Sequence, residues 1–432
     1  MKEQTLDPQQ TWDYIESLDR LGTKLGLDRI GKLMKELGSP QKAYRTIHVV
    51  GTNGKTSTSL FISALLQSQG LTVGSYVSPH LLTLADRQAV NSVPPTDQQF
   101  CELVERIRPA VDKVDKSLRG RDRLTQFEVL TAAALLYFKE QECDVAVIEA
   151  GLGGRLDATA VISSEVQVLT SIGREHTELL GETLPEILME KAAVIPTKGK
   201  VVAGALDEDI KALLSGHCHK NKSACHFLGD DFSVLADQRA ESFDISGILG
   251  CYTDVCLKVL GAYQRANAAL AVAAVELFNG AELDDDSVRE ALGSTAVPGR
   301  LEVISTQPLC IFDGSHNPPG MKETVSCLGQ MLARRRLIAV VSVLNDKEAA
   351  EMMRELTPIC DIVFATQSTS PRSLAADELA AIIADLGKGP EVFIDSDPRS
   401  AMMSAYRLAT SNQVVLVTGS LALVSDLKKE LN

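Results

Sequence analysis

The sequence predicts an α/β protein: a mostly parallel sheet carrying a phosphate-binding loop, followed by a smaller unit of the same plan. Three observations predict it. Short β-rich runs alternate with longer helical ones between Ile47 and Leu213. A second alternating run follows "AVPGRLEV". Between strand and helix at residues 47–61, "IHVVGTNGKTSTSLF" passes through a glycine-rich turn into a lysine and hydroxyls. Such alternation places parallel strands in a sheet with helices on its faces, and ligands gather at the carboxyl ends of those strands.

In the first run the strand candidates are "IHVV", "TVGSYV", "DVAVIEA", "VQVLTSI" and "KVVAGA", with helices expected to begin near Lys55, Thr96, Phe127, Leu184 and Asp207. In the second they are "LCIFDG", "RLIAVVSV", "DIVFATQ", "EVFIDS" and "QVVLVTGS", with a helix closing the chain and no second phosphate loop. The Pro298–Gly299 pair breaks the preceding helix and divides the chain into residues 1–297 and 298–432, with a cleft expected between them. Arg334, Arg335 and Arg336 read as the solvated end of a helix, where cations suit the dipole.

Bulk properties narrow the classes. At 432 residues the chain has room for two or three domains of roughly 100 to 200 residues. Hydrophobic residues at 45% and charged ones at 23% exclude disordered and fibrous architectures. The longest apolar runs fall short of the roughly 18 residues that span a bilayer, and the polar amino terminus does not read as a secretory signal. A cytoplasmic protein with no membrane partner is expected. Nine cysteines without a C-x-x-C pair suit reduced thiols. A net charge of -14 argues against nucleic acid, which rewards a basic face. The cluster His217, Cys218, His219, Cys225 and His226 matches no paired-ligand zinc spacing and reads as an exposed connection.

The glycine-rich turn carries the chemistry. Backbone N–H groups at a helix start bind phosphate where glycines let the chain approach, which is the use of Gly51 and Gly54 around Thr52 and Asn53. Lys55 then reaches the β- and γ-phosphates, and Thr56 or Ser57 offers a hydroxyl to Mg²⁺. The general form would place its first glycine at Val49, so the loop is a shortened variant. Ser78, Glu149 and His176 each follow a strand of the same sheet and could converge on a metal beside the triphosphate. Each also has a plainer reading: Ser78 as a turn former before Pro79, Glu149 as a satisfied buried acid, His176 as a helix cap.

With "SPHL", "LTQFE", "GLGGRLDAT", "EHTELLG", "EKAAVI", "LGAYQRANAALA", "PGRLEV", "DGSHNPPG" and "TGSL" in order, the chain resembles the folylpolyglutamate synthase and dihydrofolate synthase family, a branch of the Mur ligase superfamily, over nearly its whole length. The resemblance implies a P-loop domain followed by a Rossmann-like glutamate ligase domain. It also implies an enzyme that uses ATP to activate a carboxylate as an acyl phosphate and joins L-glutamate to dihydropteroate, to reduced folates, or to both. It assigns Ser78, Glu149 and His176 to one or two Mg²⁺ ions, with Lys191 as a carbamylated ligand. Asn267, Arg300 and Asp313 match nucleotide positions, and His316 and Ser420 match the glutamate and transfer region. The pterin end falls to Leu27, Asp28, Arg29, Thr125, Gln126, Phe127, Glu128, Leu156, Asp157 and Ala158, with Arg87 from a loosely matching segment.

The chain departs from the family pattern at Thr56 and Ala193, where glycines are usual, and at Glu175, where aspartate is common. Thr56 is shared with the Mur ligases, so an amino-acid ligase of that kind is a second reading, beside a monofunctional folylpolyglutamate synthase. A nucleotide-gated binding protein without chemistry is a further one, opposed by Glu149, His176 and Lys191. A monomer acting on small molecules is expected.

Overall fold

A computed structural model describes residues 7–18, 26–119, 122–235, 242–332, 336–410 and 412–430. The chain separates into two compact units, Met1–Leu257 with Arg265–Thr295, and Lys258–Gln264 with Ala296–Asn432.

The first unit holds β1 (Arg45–Val50), β2 (Val73–Tyr76), β3 (Gln88–Val90), β4 (Val145–Glu149), β5 (Val166–Leu169), β6 (Lys200–Ala203) and β7 (Ala224–Phe227). They form one seven-stranded sheet in the order β3-β2-β4-β1-β5-β6-β7. All neighbours are parallel except β2 and β3. The runs that build the middle strands are apolar throughout, and β4 is buried at every residue, as a strand must be when both faces of a parallel sheet are covered. The helices Asp28–Glu36, Asp97–Ser117 and Gln126–Glu140 close one core over β4, and Leu184–Ala192 with Glu208–Lys220 close another over β5 and β6. Among the described residues capping boxes start three α-helices, with Thr96 and Gln99, Thr125 and Glu128, and Thr183 and Glu186 satisfying each other's amides.

A second, small sheet of the first unit consists of β8 (Ser233–Leu235), β9 (Phe243–Ser246) and β10 (Cys251–Val255), all antiparallel. Its turn is held from elsewhere in the chain. The fully buried carboxylate of Glu276, on the helix Ala262–Asn279, accepts the N–H groups of Ile248 (2.6 Å), Leu249 (3.2 Å) and Gly250 (2.8 Å) and the Tyr252 hydroxyl (2.7 Å).

The second unit holds β11 (Glu302–Thr306), β12 (Leu309–Phe312), β13 (Arg336–Val341), β14 (Ile362–Ala365), β15 (Glu391–Ile394) and β16 (Gln413–Thr418) in the order β11-β12-β16-β13-β14-β15. Only β11 runs antiparallel to its neighbour. Its core gathers Ile311, Leu337, Ala339, Val341, Val363 and Leu416 under flanking helices. The edge strand β15 is poorly covered, and Phe393 stacks on Phe364 with centroids 5.1 Å apart. Both units are thus α/β with mainly parallel sheets.

Two readings need correction. Arg336 opens β13 instead of ending a helix, because the apolar run that follows is drawn into the sheet; Arg334 and Arg335 lie outside the described residues. The His217–His226 segment is not an exposed connection. His217, Cys218 and His219 end the helix Glu208–Lys220, Cys225 and His226 belong to β7, and Cys218 is buried with its thiol beside that of Cys225. Among the described residues no helix is long and apolar enough to cross a membrane.

Removing the Glu276 carboxylate leaves three amides and a phenol without their buried acceptor. Glu276→Ala is expected to lower the unfolding free energy by about 3 kcal/mol in a denaturant titration, with Glu276→Gln losing less. A loss below about 0.5 kcal/mol would contradict the role given to this residue.

Candidate active site

The strand order reverses beside β1, whose neighbours are β4 and β5, and the crevice at the carboxyl ends of such strands is where α/β sheets take ligands. β1 leads into the 51–54 turn, β4 ends on Glu149, β5 leads into Thr170 and Ser171, and β2 leads toward Ser78.

Close approach of backbone to side chain explains both glycines of the turn. Gly51 has φ +152°, and a Cβ there would fall 2.0 Å from Thr170 Oγ1. Gly54, at φ +84°, would meet Asn267 Oδ1 at 2.5 Å and forms the left-handed cap of the helix Lys55–Ser68. The turn is stitched to the end of β5. Asn53 O accepts from the hydroxyls of Thr170 (2.6 Å) and Ser171 (3.1 Å), and its N–H donates to Ser171 Oγ at 2.9 Å. Thr52 donates its N–H to Ser171 O, and its hydroxyl accepts from Gly173 N at 3.0 Å. Thr170 and Ser171 thus tie down the turn, although they belong to no motif. Two hydroxyls directly after an apolar strand were the available signal.

Lys55 folds back on its own turn, donating to the carbonyls of Gly51 (3.1 Å) and Thr52 (2.9 Å). Lys191, buried on the helix Leu184–Ala192, donates to the same Gly51 carbonyl at 2.8 Å. Burial, helped by the neighbouring Lys55 charge, lowers the Lys191 amine to about 7, against the opposing pull of Glu175 and Asp157. An amine so placed is half free base near neutrality.

A second cluster forms on β4. The buried Glu149 accepts from the Thr56 hydroxyl at 3.1 and 3.0 Å and from Ser78 N at 3.3 Å. Ser57 is buried in its helix, so Thr56 is the hydroxyl beside the carboxylate. A carboxylate with a neighbouring hydroxyl fits Mg²⁺, which takes few protein oxygens and keeps water. Among the described residues no three His, Cys, Asp or Glu side chains gather as a metal cluster. His176 stands in the left-handed cap position of the short helix Thr177–Leu180 without a capping side-chain bond; its ring faces Glu175 at 3.7 Å and Glu178 at 3.8 Å.

The residues named for the pterin end divide in two. Phe127 is half-buried, tilted against Tyr76 with centroids 6.2 Å apart, and its ring fills the space that a Cβ on Gly151 would need. Leu156 is half-buried and Ala158 buried on the adjoining loop, and Gln126 opens the helix that carries Phe127. Others are committed internally. Arg29 donates from Nε to both oxygens of Glu128 at 3.1 Å, and Glu128 also accepts the N–H and hydroxyl of Thr125. Asp157 is buried and caps the turn Ala158–Val161, its carboxyl raised by desolvation. Leu27 packs on the core, Asp28 is exposed, and Arg87 donates to His80 Nδ1 at 3.1 Å.

In the second unit, Asp313 is fully buried and accepts Leu301 N, Ser315 N and the Thr324 hydroxyl. Arg300 is half-buried and donates to Gly299 O, and His316 Nδ1 lies 2.8 Å from Gly314 O. Ser420, fully buried, caps the helix Leu421–Lys429 by accepting Leu423 N.

Comparison with known proteins bears on this arrangement. Residues 49–275 match the Mur ligase middle domain, and residues 299–421 match the Mur ligase, glutamate ligase domain. The dihydrofolate synthase/folylpolyglutamate synthase of Bacillus subtilis is 34% identical over 98% of this chain and 99% of its own. Escherichia coli FolC in complex with DHPP and ADP aligns with a TM-score of 0.87 at 28% identity, over 99% of this chain and 98% of its own. The Yersinia pestis bifunctional folylpolyglutamate synthase/dihydrofolate synthase complexed with AMPPNP and Mn ion aligns with a TM-score of 0.87 at 29% identity, over 100% of both chains.

The Lys191 environment makes a direct prediction. Followed by NMR of its side-chain carbon in ligand-free protein, the amine should titrate with a midpoint at about 7. Lys55→Ala, which removes a like charge, should move that midpoint upward. An ordinary lysine midpoint near ~10.4 would show that the ammonium is not desolvated there.

Proposed function

The chain belongs to the Mur ligase family, in its dihydrofolate synthase/folylpolyglutamate synthase branch, and is an ATP-dependent folate glutamate ligase; from that premise we propose that it is bifunctional. It adds L-glutamate to the carboxylate of dihydropteroate and to the γ-carboxylate of reduced folates. The ligase chemistry is carried by the joining of two sets of groups around one turn, Lys55 and Lys191 on the Gly51 carbonyl and the Thr56 hydroxyl and Ser78 amide on Glu149, and bifunctionality is supported by the likeness to relatives with both activities in their names.

A carboxylate is a poor electrophile, and both it and the triphosphate are anions. The γ-phosphoryl passes from ATP to the substrate carboxylate with release of ADP, giving an acyl phosphate; the glutamate amine then attacks the acyl carbon and gives up a proton, the C–O bond to phosphate breaks, and an amide and phosphate remain. The chain's share is to neutralise charge and align the reactants. Amides of the 51–54 turn cradle the phosphates, and Lys55 exchanges its carbonyl contacts for phosphate oxygens. Thr56, Ser78, Glu149 and His176, with Lys191 once carbamylated, would hold one or two Mg²⁺ ions, which supply neutralisation of the phosphate charge. Carbamylation joins the free-base Nζ to the carbon of CO₂ with loss of a proton, so the lowered basicity of Lys191 favours it and turns a cation into a carboxylate-like ligand.

Asn267, against Gly54, and Arg300 and Asp313 serve the nucleotide; His316 and Ser420 serve the glutamate and transfer step. Phe127, Leu156 and Ala158 offer an apolar and aromatic wall to a pterin, while Arg29, Glu128 and Asp157 hold that wall in shape. The enzyme is read as a cytoplasmic monomer acting on small molecules, with no nucleic acid or membrane partner.

Phosphate release from ATP is expected to require L-glutamate together with dihydropteroate or a reduced folate. Stimulation by a cell-wall precursor instead would favour the Mur-like reading, and nucleotide binding without turnover the switch. Lys55→Ala should cut kcat by about 10³-fold. Phe127→Ala should raise KM for dihydropteroate roughly tenfold, with KM for ATP little changed, in steady-state assays.

A further inference from the structure

Asp157 binds its own loop at both carboxylate oxygens. Oδ2 accepts Leu152 N at 2.7 Å, the amide of Gly151 bonds the same carboxylate, and Oδ1 accepts Thr159 N at 2.9 Å and the Thr159 hydroxyl at 2.5 Å. The same hydroxyl lies 2.9 Å from Nε2 of His48. A hydroxyl has one hydrogen to give and an ionised carboxylate has none. Thr159 therefore donates to Asp157, and His48 must donate from Nε2 to Thr159, which selects the Nε2–H tautomer. His48 is buried, and desolvation keeps its ring neutral through the physiological range.

The two ends of this relay matter to different parts of the site. His48 lies on β1, three residues ahead of Gly51, in register with Ile148 of β4 and Gln167 of β5. The loop held by Asp157 presses its Gly151 backbone on the Phe127 ring and its Gly154 backbone on that of Lys191, where added Cβ atoms would come within 2.4 Å of Phe127 Cζ and 2.9 Å of Lys191 O. So the relay fastens the loop that adjoins the aromatic wall to the strand that ends in the phosphate turn.

We infer that His48, acting through Thr159, is a positioning residue for the pterin end of the acceptor substrate, fixing the loop 151–158 against the phosphate-turn strand. This rests on the reading of Phe127, Leu156 and Ala158 as the pterin wall. The phosphate turn has its own ties to Thr170 and Ser171, and Lys191 is held by its own helix Leu184–Ala192 and by the Gly51 carbonyl, so loss of the relay acts on the acceptor side. Neither His48 nor Thr159 touches the reacting atoms.

The test is steady-state kinetics on the full-length enzyme carrying Thr159→Val, Thr159→Ser or His48→Leu, with Phe127→Ala alongside. Thr159→Val and His48→Leu should each raise KM for dihydropteroate roughly tenfold while kcat and KM for ATP stay within about twofold, and Thr159→Ser should behave as wild type. If Phe127→Ala raises KM for dihydropteroate and the relay variants do not, the positioning role fails while the pocket reading stands. If Phe127→Ala has no effect, the pocket reading itself fails and takes the inference with it. Equal losses of ATP and dihydropteroate affinity that serine does not restore, or unfolding of both relay variants, would make the relay merely structural and overturn the inference.

Discussion

Two lysine side chains donate to one carbonyl oxygen, that of Gly51, and the rest of the first unit is arranged to sustain that crowding. Two full ammonium charges at such range repel strongly once water is removed. The structure relieves the conflict by giving the groups different surroundings. Lys55 stays half-buried, where solvent can share its charge, and Lys191 is buried, where the neutral amine is favoured. The phosphate turn thus gathers basic groups whose charge an anion, or chemical change at Lys191, would offset.

Much of this was legible in the sequence because parallel strands write themselves as unbroken apolar runs. β1, β4, β13 and β16 are buried nearly end to end, and "IHVV", "DVAVIEA", "RLIAVVSV" and "QVVLVTGS" read accordingly. The strands that escaped lie at edges or in the small antiparallel sheet. β9 alternates buried and half-exposed residues over four positions, too short a pattern to separate from a loop, and β7 is only partly covered. Arg336 differs, because β13 is a central strand between β16 and β14: a charged first residue says little about whether the next residue is helical or extended.

The site shows the same division. Residues that bring their chemistry to a strand end, such as Glu149 and Lys55, could be named from type and position. What they touch could not. That Thr56, and not Ser57, faces Glu149 depends on the helical rotation set by the cap at Gly54. That Arg29 and Glu128 satisfy each other depends on two helices far apart in the chain meeting in the core. Such pairings belong to tertiary packing, on which local pattern is silent.

The turn of the small antiparallel sheet has a bearing on how the chain is made. Its amides at Ile248, Leu249 and Gly250 find their acceptor on Glu276, a residue translated later. During synthesis the hairpin can pair its own strands first, but its turn amides gain their carboxylate only once the following helix has emerged. A polypeptide halted between the two segments would expose an unfinished ribbon, a natural target for the cell's quality-control proteases.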